Sequence, residues 1–386
     1  MQFLPRNPTT ATSKREGPMT HTVTFIPGDG IGPEICAAMQ RVVAATGVKI
    51  DWREAQAGAG TYEQCGTPLP QETLDAVAAT GVAIKGPTAT PVGSGFRSIN
   101  VALRRAFDLY SCLRPCLSMP GDGSRYDDVD LVVVRENTED LYAGIEFDEG
   151  SEQARHIIQA VDEAQPGAIR PDSAISIKPI SISGSERIVR YAFEYAKAQG
   201  RHKVCAVHKA NIMKATDGLF MHTAQRVAQD YPEIEFETRI IDACCMGLVV
   251  NPADFDVLVL PNLYGDIVSD LCAGLVGGLG LAPGANIGTD CAIFEATHGS
   301  APDIAGQDIA NPTALILSAA MMLDHLGEKA AGDAVRQAVR WVLAQGACVT
   351  ADIRRNLTGS AQGAAGCTAY GEAVAAAVAD KPWQQA

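Results

Sequence analysis

Three aspartates, one lysine, one tyrosine and three arginines carry the chemistry available to this sequence. Asp266 and Asp270 lie four apart in NLYGDIVSDLCAGL, which puts both carboxylates on one face at the start of a helix. Like charges at that spacing repel unless a cation offsets them. Carboxylates with no histidine or cysteine pattern beside them suit a hard ion such as Mg2+ or Mn2+. The plainer alternative is a helix-capping Asp266 with Asp270 in solvent. Asp242, ending the strand-like ETRIID, is a further acidic candidate. Lys209 leaves the apolar run KVCAVH; desolvation at such an exit would lower its pKa towards general-base use, although most lysines are simply solvated. Arg135 ends the apolar run LVVVR, and Tyr142 follows seven residues later. Strand ends are where α/β folds place ligands; otherwise Arg135 pairs with Glu136 or Glu139 and Tyr142 packs.

Arg104 belongs to GFRSINVALRRAFDLYSCLR, residues 95 to 114. Ile99, Ala102, Leu103, Ala106 and Phe107 recur at helical spacing, so the segment is predicted as a one-sided amphipathic helix with Ser98 at its N-cap. Asn100 and Arg104 share the opposite face. Hydroxyl, amide, guanidinium and helix N-terminus together suit carboxylates, and Arg114 adds a second guanidinium. The alternative is a helix with a basic outer face.

These arginines stand out because the chain is acidic. Its 386 residues carry a net charge of −14, which argues against nucleic acid or an anionic membrane as partner. Hydrophobic residues make up 47 %, and no apolar run reaches the roughly 18 residues of a membrane span. Eleven cysteines form no CxxC pair and no zinc spacing. Buried thiols in a reducing cytoplasm are expected. Residues 1–18 lack the apolar core of a secretory signal and read as a disordered leader before Met19; being basic, they could alternatively be a transit segment, which would place the protein in the mitochondrial matrix.

Strands alternate with helices through residue 110, as in an α/β lobe. IPGDGIGPE follows the first strand, but Pro33 stands where a dinucleotide fingerprint needs its third small residue, so the segment reads as a strand-to-helix turn. Residues 85–94 read as an exposed loop. Residues 147–183 lack an obvious helical period and read as an edge strand or projecting arm, suited to pairing with a second subunit. Residues 274–312 read as an irregular path wrapping a flat ligand, with His298, Asp303 and Asn311 as polar handles.

The motifs IPGDGIGPE, RSINVALRR, RENTEDLYAGIE, HKANIMK, NLYGDIVSD and EATHGSAPDIAGQDIANP resemble, in order, those of the β-decarboxylating isocitrate/isopropylmalate dehydrogenases. The resemblance runs from about Val23 to the C-terminus. It implies a non-Rossmann α/β fold with a large discontinuous domain (19–108 and 277–386), a small central domain (109–276) and a clasp arm at about 147–183. It also implies a homodimer with shared active sites. The reaction implied is NAD-dependent oxidative decarboxylation of isocitrate to 2-oxoglutarate, as in the tricarboxylic acid cycle. By resemblance, Arg104, Arg114, Arg135 and Asn211 hold the substrate, and Ser98 with Asn100 recognises the carboxylate peculiar to isocitrate. Asp266, Asp270 and a second subunit's Asp242 would ligate Mg2+ or Mn2+. A second subunit's Lys209 would assist removal of the hydroxyl proton as hydride passes to the nicotinamide. Oxalosuccinate would then lose CO2, and Tyr142 would protonate the enol.

The resemblance assigns Thr90, Glu295, His298, Gly299, Asp303, Ile304 and Asn311 to the cofactor. NADP-dependent relatives carry lysine and tyrosine where this chain has Asp303 and Ile304. A carboxylate accepts hydrogen bonds from ribose hydroxyls and repels a 2′-phosphate, so NAD is expected. Ala351 replaces a further tyrosine of the NADP form, whereas Arg355 could still meet a phosphate. Two alternatives remain: a related enzyme acting on isopropylmalate, homoisocitrate or tartrate, or a non-catalytic regulatory subunit.

Overall fold

The computed structural model describes residues 19–90, 96 and 98–384. The expected leader 1–18 and residues 91–94 of the expected loop lie outside them. Twelve strands are described: β1 (Thr20–Ile26), β2 (Lys49–Glu54), β3 (Val82–Lys85), β4 (Ser111–Leu117), β5 (Asp130–Glu136), β6 (Glu146–Phe147), β7 (Ile175–Ser176), β8 (Lys203–His208), β9 (Glu235–Ile240), β10 (Val257–Leu260), β11 (Pro283–Ile287) and β12 (Ala292–Ala296). Ten form one sheet in the order β2-β1-β3-β12-β11-β4-β5-β10-β8-β9.

The strands β2, β1, β3 and β12 are parallel to one another, as are β5, β10, β8 and β9. The two blocks meet through β11 and β4, which pair antiparallel with each other and with their outer neighbours. This order differs from the 3-2-1-4-5-6 arrangement of a dinucleotide fold, as the proline at position 33 implies. Runs such as VAIK, LVVV and VLVL are buried along their length, as expected where helices cover both faces of a parallel sheet. The helix Thr313–His325 buries ten of its thirteen residues and contributes to the largest core cluster.

The IPGDG turn is a lock between loops. Gly30 has φ +59°, and a Cβ there would stand 2.0 Å from the Ser300 carbonyl oxygen. Asp29 accepts hydrogen bonds from the Ala59 and Ala89 amides at 2.9 and 2.8 Å. Its carboxylate serves the fold.

Two expectations are corrected. Residues 147–183 contain the helix Glu152–Ala164, capped by the Ser151 hydroxyl, as well as the paired strands β6 and β7. Ala154, Ile157, Ile158 and Val161 do carry a helical period, but only Ala154 is fully buried. Residues 274–312 are not irregular throughout, because the short apolar runs PGANI and AIFEA form β11 and β12 inside the sheet.

Candidate active site

Sheet register assembles the first half of the site. Lys85 on β3 lies opposite Glu295 on β12, and Glu295 lies opposite Gly284 on β11. The β11–β4 pairing brings Arg114 alongside Gly284. A Cβ at Gly284 would stand 3.0 Å from Arg114 Cζ, so glycine leaves room for the guanidinium. Glu295, 3 % exposed, is the hub. Its carboxylate lies 3.0 Å from Lys85 Nζ, 3.5 Å from Arg104 and 3.9 Å from Arg114. The Asn286 amide donates to it at 2.7 Å, and Arg104 Nε donates to Asn286 Oδ1 at 3.0 Å.

Burial alone would raise the Glu295 pKa; Lys85, Arg104, Arg114 and Asn286 outweigh it and hold the carboxyl well below the usual carboxylate range. Burial pulls the Arg104 guanidinium below its ordinary value, with Cys112 and Glu295 acting against the shift.

This overturns the reading of Arg104 as part of an outward face. The helix Ile99–Ala106 buries Ile99, Leu103 and Arg104 together, because Glu295 and Asn286 give the guanidinium an ionic and polar seat inside. Ser98 does occupy the N-cap, but its hydroxyl makes no capping hydrogen bond. Asn100 accepts from the Thr88 hydroxyl at 3.5 Å. Glu295 itself is committed to the cations rather than standing as an open cofactor contact.

The second half gathers around Arg135 at the end of β5. Its Nε and Nη2 donate to Asn262 Oδ1 at 3.0 and 2.8 Å, and Nη1 pairs with Asp266. The Tyr142 hydroxyl donates to the other Asp266 oxygen, and the Tyr142 ring lies 4.8 Å from Arg135 Cζ. Neither Glu136 nor Glu139 takes Arg135: Glu136 accepts the Thr138 amide at 2.8 Å and Glu139 the Ser181 amide at 3.0 Å. Asp266 and Asp270 belong to the helix Asn262–Leu275. A Cβ at Gly265 would stand 2.5 Å from Arg135 Cγ, so that helix rests directly on the arginine stem. Burial, then the hydrogen bond to Asp266, raises the Tyr142 pKa, keeping the phenol protonated. Burial, then repulsion from Asp266, raises that of Asp270.

Four cations (Lys85, Arg104, Arg114 and Arg135) therefore face three carboxylates (Glu295, Asp266 and Asp270) inside a protein of net charge −14. The excess is positive even with every carboxylate ionised. Such a site favours a polyanion. The Asp266–Asp270 pair supplies hard oxygen donors of the kind a divalent cation takes. Among the described residues, no three His, Cys, Asp or Glu side chains converge as a metal-holding group within this chain.

Asp242 is bonded elsewhere. It sits in the first turn of the helix Ile241–Val250 rather than at a strand end, because β9 stops at Ile240. There its carboxylate takes the Lys209 ammonium, which lowers the Asp242 pKa. Lys209 and Asp242 thus form one unit, while Arg135, Tyr142 and Asp266 form another. Asn211 is exposed in the turn after β8.

The expected cofactor residues other than Glu295 and Thr90 follow β12. His298 Nδ1 lies 3.0 Å from the Gly299 carbonyl oxygen, its Nε2 is buried without a partner, and burial lowers its pKa. Gly299 and Asp303 are exposed, and Ile304 is half-buried. Asn311 donates to Asp352 at 2.8 Å and accepts from the Thr313 amide at 3.0 Å. Thr90 is exposed beyond β3. Asn286 and Asn262 were not singled out from sequence, and Lys85, expected to open an exposed loop, instead closes β3 with its ammonium buried against Glu295. Lys85 had a signal: like Lys209, it closes an apolar strand.

The family model described as "Isocitrate/isopropylmalate dehydrogenase" matches residues 22–374. The chain is 50 % identical over 333 residues to an Arabidopsis thaliana protein named mitochondrial isocitrate dehydrogenase [NAD] catalytic subunit 5, covering 86 % of this chain and 84 % of the relative. It is 48 % identical over 324 residues to a chloroplastic 3-isopropylmalate dehydrogenase of Solanum tuberosum, covering 84 % and 85 % of the two chains. The crystal structure of isocitrate dehydrogenase from Methylococcus capsulatus superposes with a TM-score of 0.85 at 49 % identity, over 93 % of this chain and 99 % of that one. This chain belongs to the isocitrate/isopropylmalate dehydrogenase family.

Proposed function

We propose that the protein catalyses NAD-dependent oxidative decarboxylation of isocitrate to 2-oxoglutarate, using Mg2+ or Mn2+. The carrying observation is the buried excess of cations around Arg104, Arg114 and Arg135, with the Tyr142 phenol and Asp266 beside it. Isocitrate carries three carboxylates, whose charge the single excess positive charge of the site and a bound divalent ion together offset, and which the guanidinium groups orient. Ser98 and Asn100, polar at the entrance of the Ile99–Ala106 helix, favour a third carboxylate over the isopropyl group of isopropylmalate.

When bound, the divalent ion supplies charge stabilisation at the substrate oxygens, and the nicotinamide accepts the hydride. Asp266 and Asp270 would hold the ion together with the partner's Asp242. The partner's Lys209, which travels with the partner's Asp242, takes part in removing the hydroxyl proton, and Tyr142, kept protonated by burial and Asp266, returns a proton to the enol after CO2 leaves. Met246, Val250 and Ile267 stand exposed on the two helices that carry these aspartates, an apolar surface suited to a second copy of the chain. The homodimer therefore completes each site, with the seam between the two domains set at β11 and β4. Asp303 and Ile304 favour NAD. Retention of Tyr142, Lys209 and all three aspartates argues for a catalytic rather than a regulatory chain.

The test is NADH formation by the purified protein with isocitrate, with and without a chelator, and with NADP in parallel. Rapid, metal-dependent turnover with kcat/KM higher for NAD is expected. Turnover with isopropylmalate instead, or none without an added partner subunit, would overturn the assignment.

A further inference from the structure

The proposed chemistry leaves unused a buried charge cluster beneath it. Asp140 and Asp217 are both completely buried, and one cation answers them. Lys178 Nζ lies 2.8 Å from Asp217 Oδ1, 3.7 Å from Asp140 Oδ1 and 4.5 Å from the Tyr264 ring centroid. It comes from the projecting arm, two residues past β7. The Thr216 hydroxyl donates to Asp217 Oδ1 at 3.4 Å, and backbone amides donate to both carboxylates. Asp140 accepts from Leu141 and from Leu263, each at 2.8 Å. Asp217 accepts from the Lys209 amide at 2.7 Å.

Each of those amides adjoins a residue assigned to the reaction. Leu141 precedes Tyr142 in the short turn Asp140–Ala143. Leu263 lies within one turn of Asp266 on the same helix. Lys209 carries the ammonium paired with Asp242. Asp140 also holds φ +67°, a left-handed conformation that is strained for a non-glycine residue and persists only where its surroundings enforce it.

We propose that Lys178 is a positioning residue: the shared counter-ion through which the arm sets the Tyr142 turn, the Asp266 helix and the Lys209 turn in fixed mutual register. Removal of the ammonium leaves two fully buried carboxylates hydrogen-bonded but without a counter-ion, a situation that proteins relieve by moving the charges apart or letting water in. Outward motion of Asp140 releases the strained turn and rotates Tyr142; outward motion of Asp217 frees the Lys209 backbone. A displacement of about 1 Å at reacting groups costs on the order of a hundredfold in rate. Substrate capture by Arg104 and Arg114, anchored on Glu295 across the sheet, is untouched.

This inference rests on the proposed roles of Tyr142, Lys209 and Asp266, so the test reads structure and rate separately. Full-length Lys178→Met and Lys178→Arg are compared with the unmodified protein. Amide hydrogen exchange of the unliganded proteins is expected to show Leu141, Leu263 and Lys209 accelerating together in Lys178→Met, by about tenfold or more, while Val204 and Val259 in the sheet stay protected. Steady-state kinetics are expected to show kcat down about a hundredfold, KM for NAD within about threefold, and a rise in KM for isocitrate well below the fall in kcat, because Arg135 moves with the Asp266 helix while Arg104 and Arg114 stay on Glu295. Lys178→Arg, which keeps the charge, recovers most of kcat. Unchanged exchange at the three amides, uniform loss of protection across the sheet, or equal effects on kcat and KM would overturn the proposal. Should Lys178→Met not fold, Lys178→Met combined with Asp217→Asn removes one buried carboxylate as well, and the same criterion applies to Leu141 and Leu263. A wild-type protein inactive towards isocitrate would refute the functional reading, while the exchange pattern still decides the positional one.

Discussion

Replacement of Glu295 by glutamine tests the centre of the site with the least change of shape. The amide keeps the volume and can still accept from Asn286, but it removes the negative charge facing Lys85, Arg104 and Arg114 at 3.0, 3.5 and 3.9 Å. Lys85 and Glu295 are each under 4 % exposed, so water cannot replace the lost partner. Breaking a buried ion pair from one side costs about 3–5 kcal/mol. Unfolding entropy scaled to 386 residues is roughly 0.8 kcal/mol per degree, so Tm should fall by about 4–6 °C at pH 7. The pH dependence has a definite sign. Glu295 has a lower pKa folded than unfolded, so its contribution is complete above the unfolded value and disappears as pH falls through the folded one. The gap between wild type and Glu295→Gln should hold from neutrality down to about pH 5 and narrow below the ordinary glutamate value of 4.5. Calorimetry at pH 7 and at acid pH measures both. Equal Tm values at pH 7, or a gap that widens in acid, would refute the reasoning that Glu295 is an ionised counter-ion.

Two further substitutions separate chemistry from packing. Tyr142→Phe removes the proton donated to Asp266 and should lower kcat about 10²–10⁴-fold while KM for isocitrate changes little; a comparable loss carried in KM would assign the phenol to binding instead. Gly265→Ala would put a methyl group 2.5 Å from Arg135 Cγ, so either the helix or the arginine must shift. The expected result is about 1–3 kcal/mol of destabilisation in denaturant titrations, together with a raised KM for isocitrate. A neutral effect on both would show that Arg135 is not held in place by the helix.

The residues of this site were legible where chemistry coincides with a strand end or a helix turn. Arg135, Lys209 and the Asp266–Asp270 pair all announce themselves by position, and the structure sets Arg135 against Asp266 and Tyr142. The fold was legible for the same reason, since its strands are short, apolar and bounded by turns. What stayed hidden depends on register between distant segments. Glu295 meets Lys85 because β12 pairs with β3, and it meets Arg104 across 191 positions of sequence. Nothing in EATH distinguishes a carboxylate that faces a cofactor from one that faces a lysine below it. The helix at Glu152–Ala164 was missed for a different reason: most of its apolar face is only half-covered within one chain, so period and burial do not reinforce each other there.

Arg104 shows why direction is harder to read than type. Its placement opposite Ile99 and Leu103 suits an anion-binding face and equally a basic outer one, yet all three residues are buried in one helix of eight residues. A short helix can bury opposite faces only if the second face meets charge or hydrogen bonds, and here Asn286 and Glu295 supply them. The guanidinium that a polyanion would meet is therefore already oriented by the protein's own carboxylate. That arrangement reduces the ordering required on binding, and on the proposed function it would give Glu295 a share in substrate recognition without contact. Sequence shows which groups can bind an anion; the sheet register decides which of them are aimed beforehand.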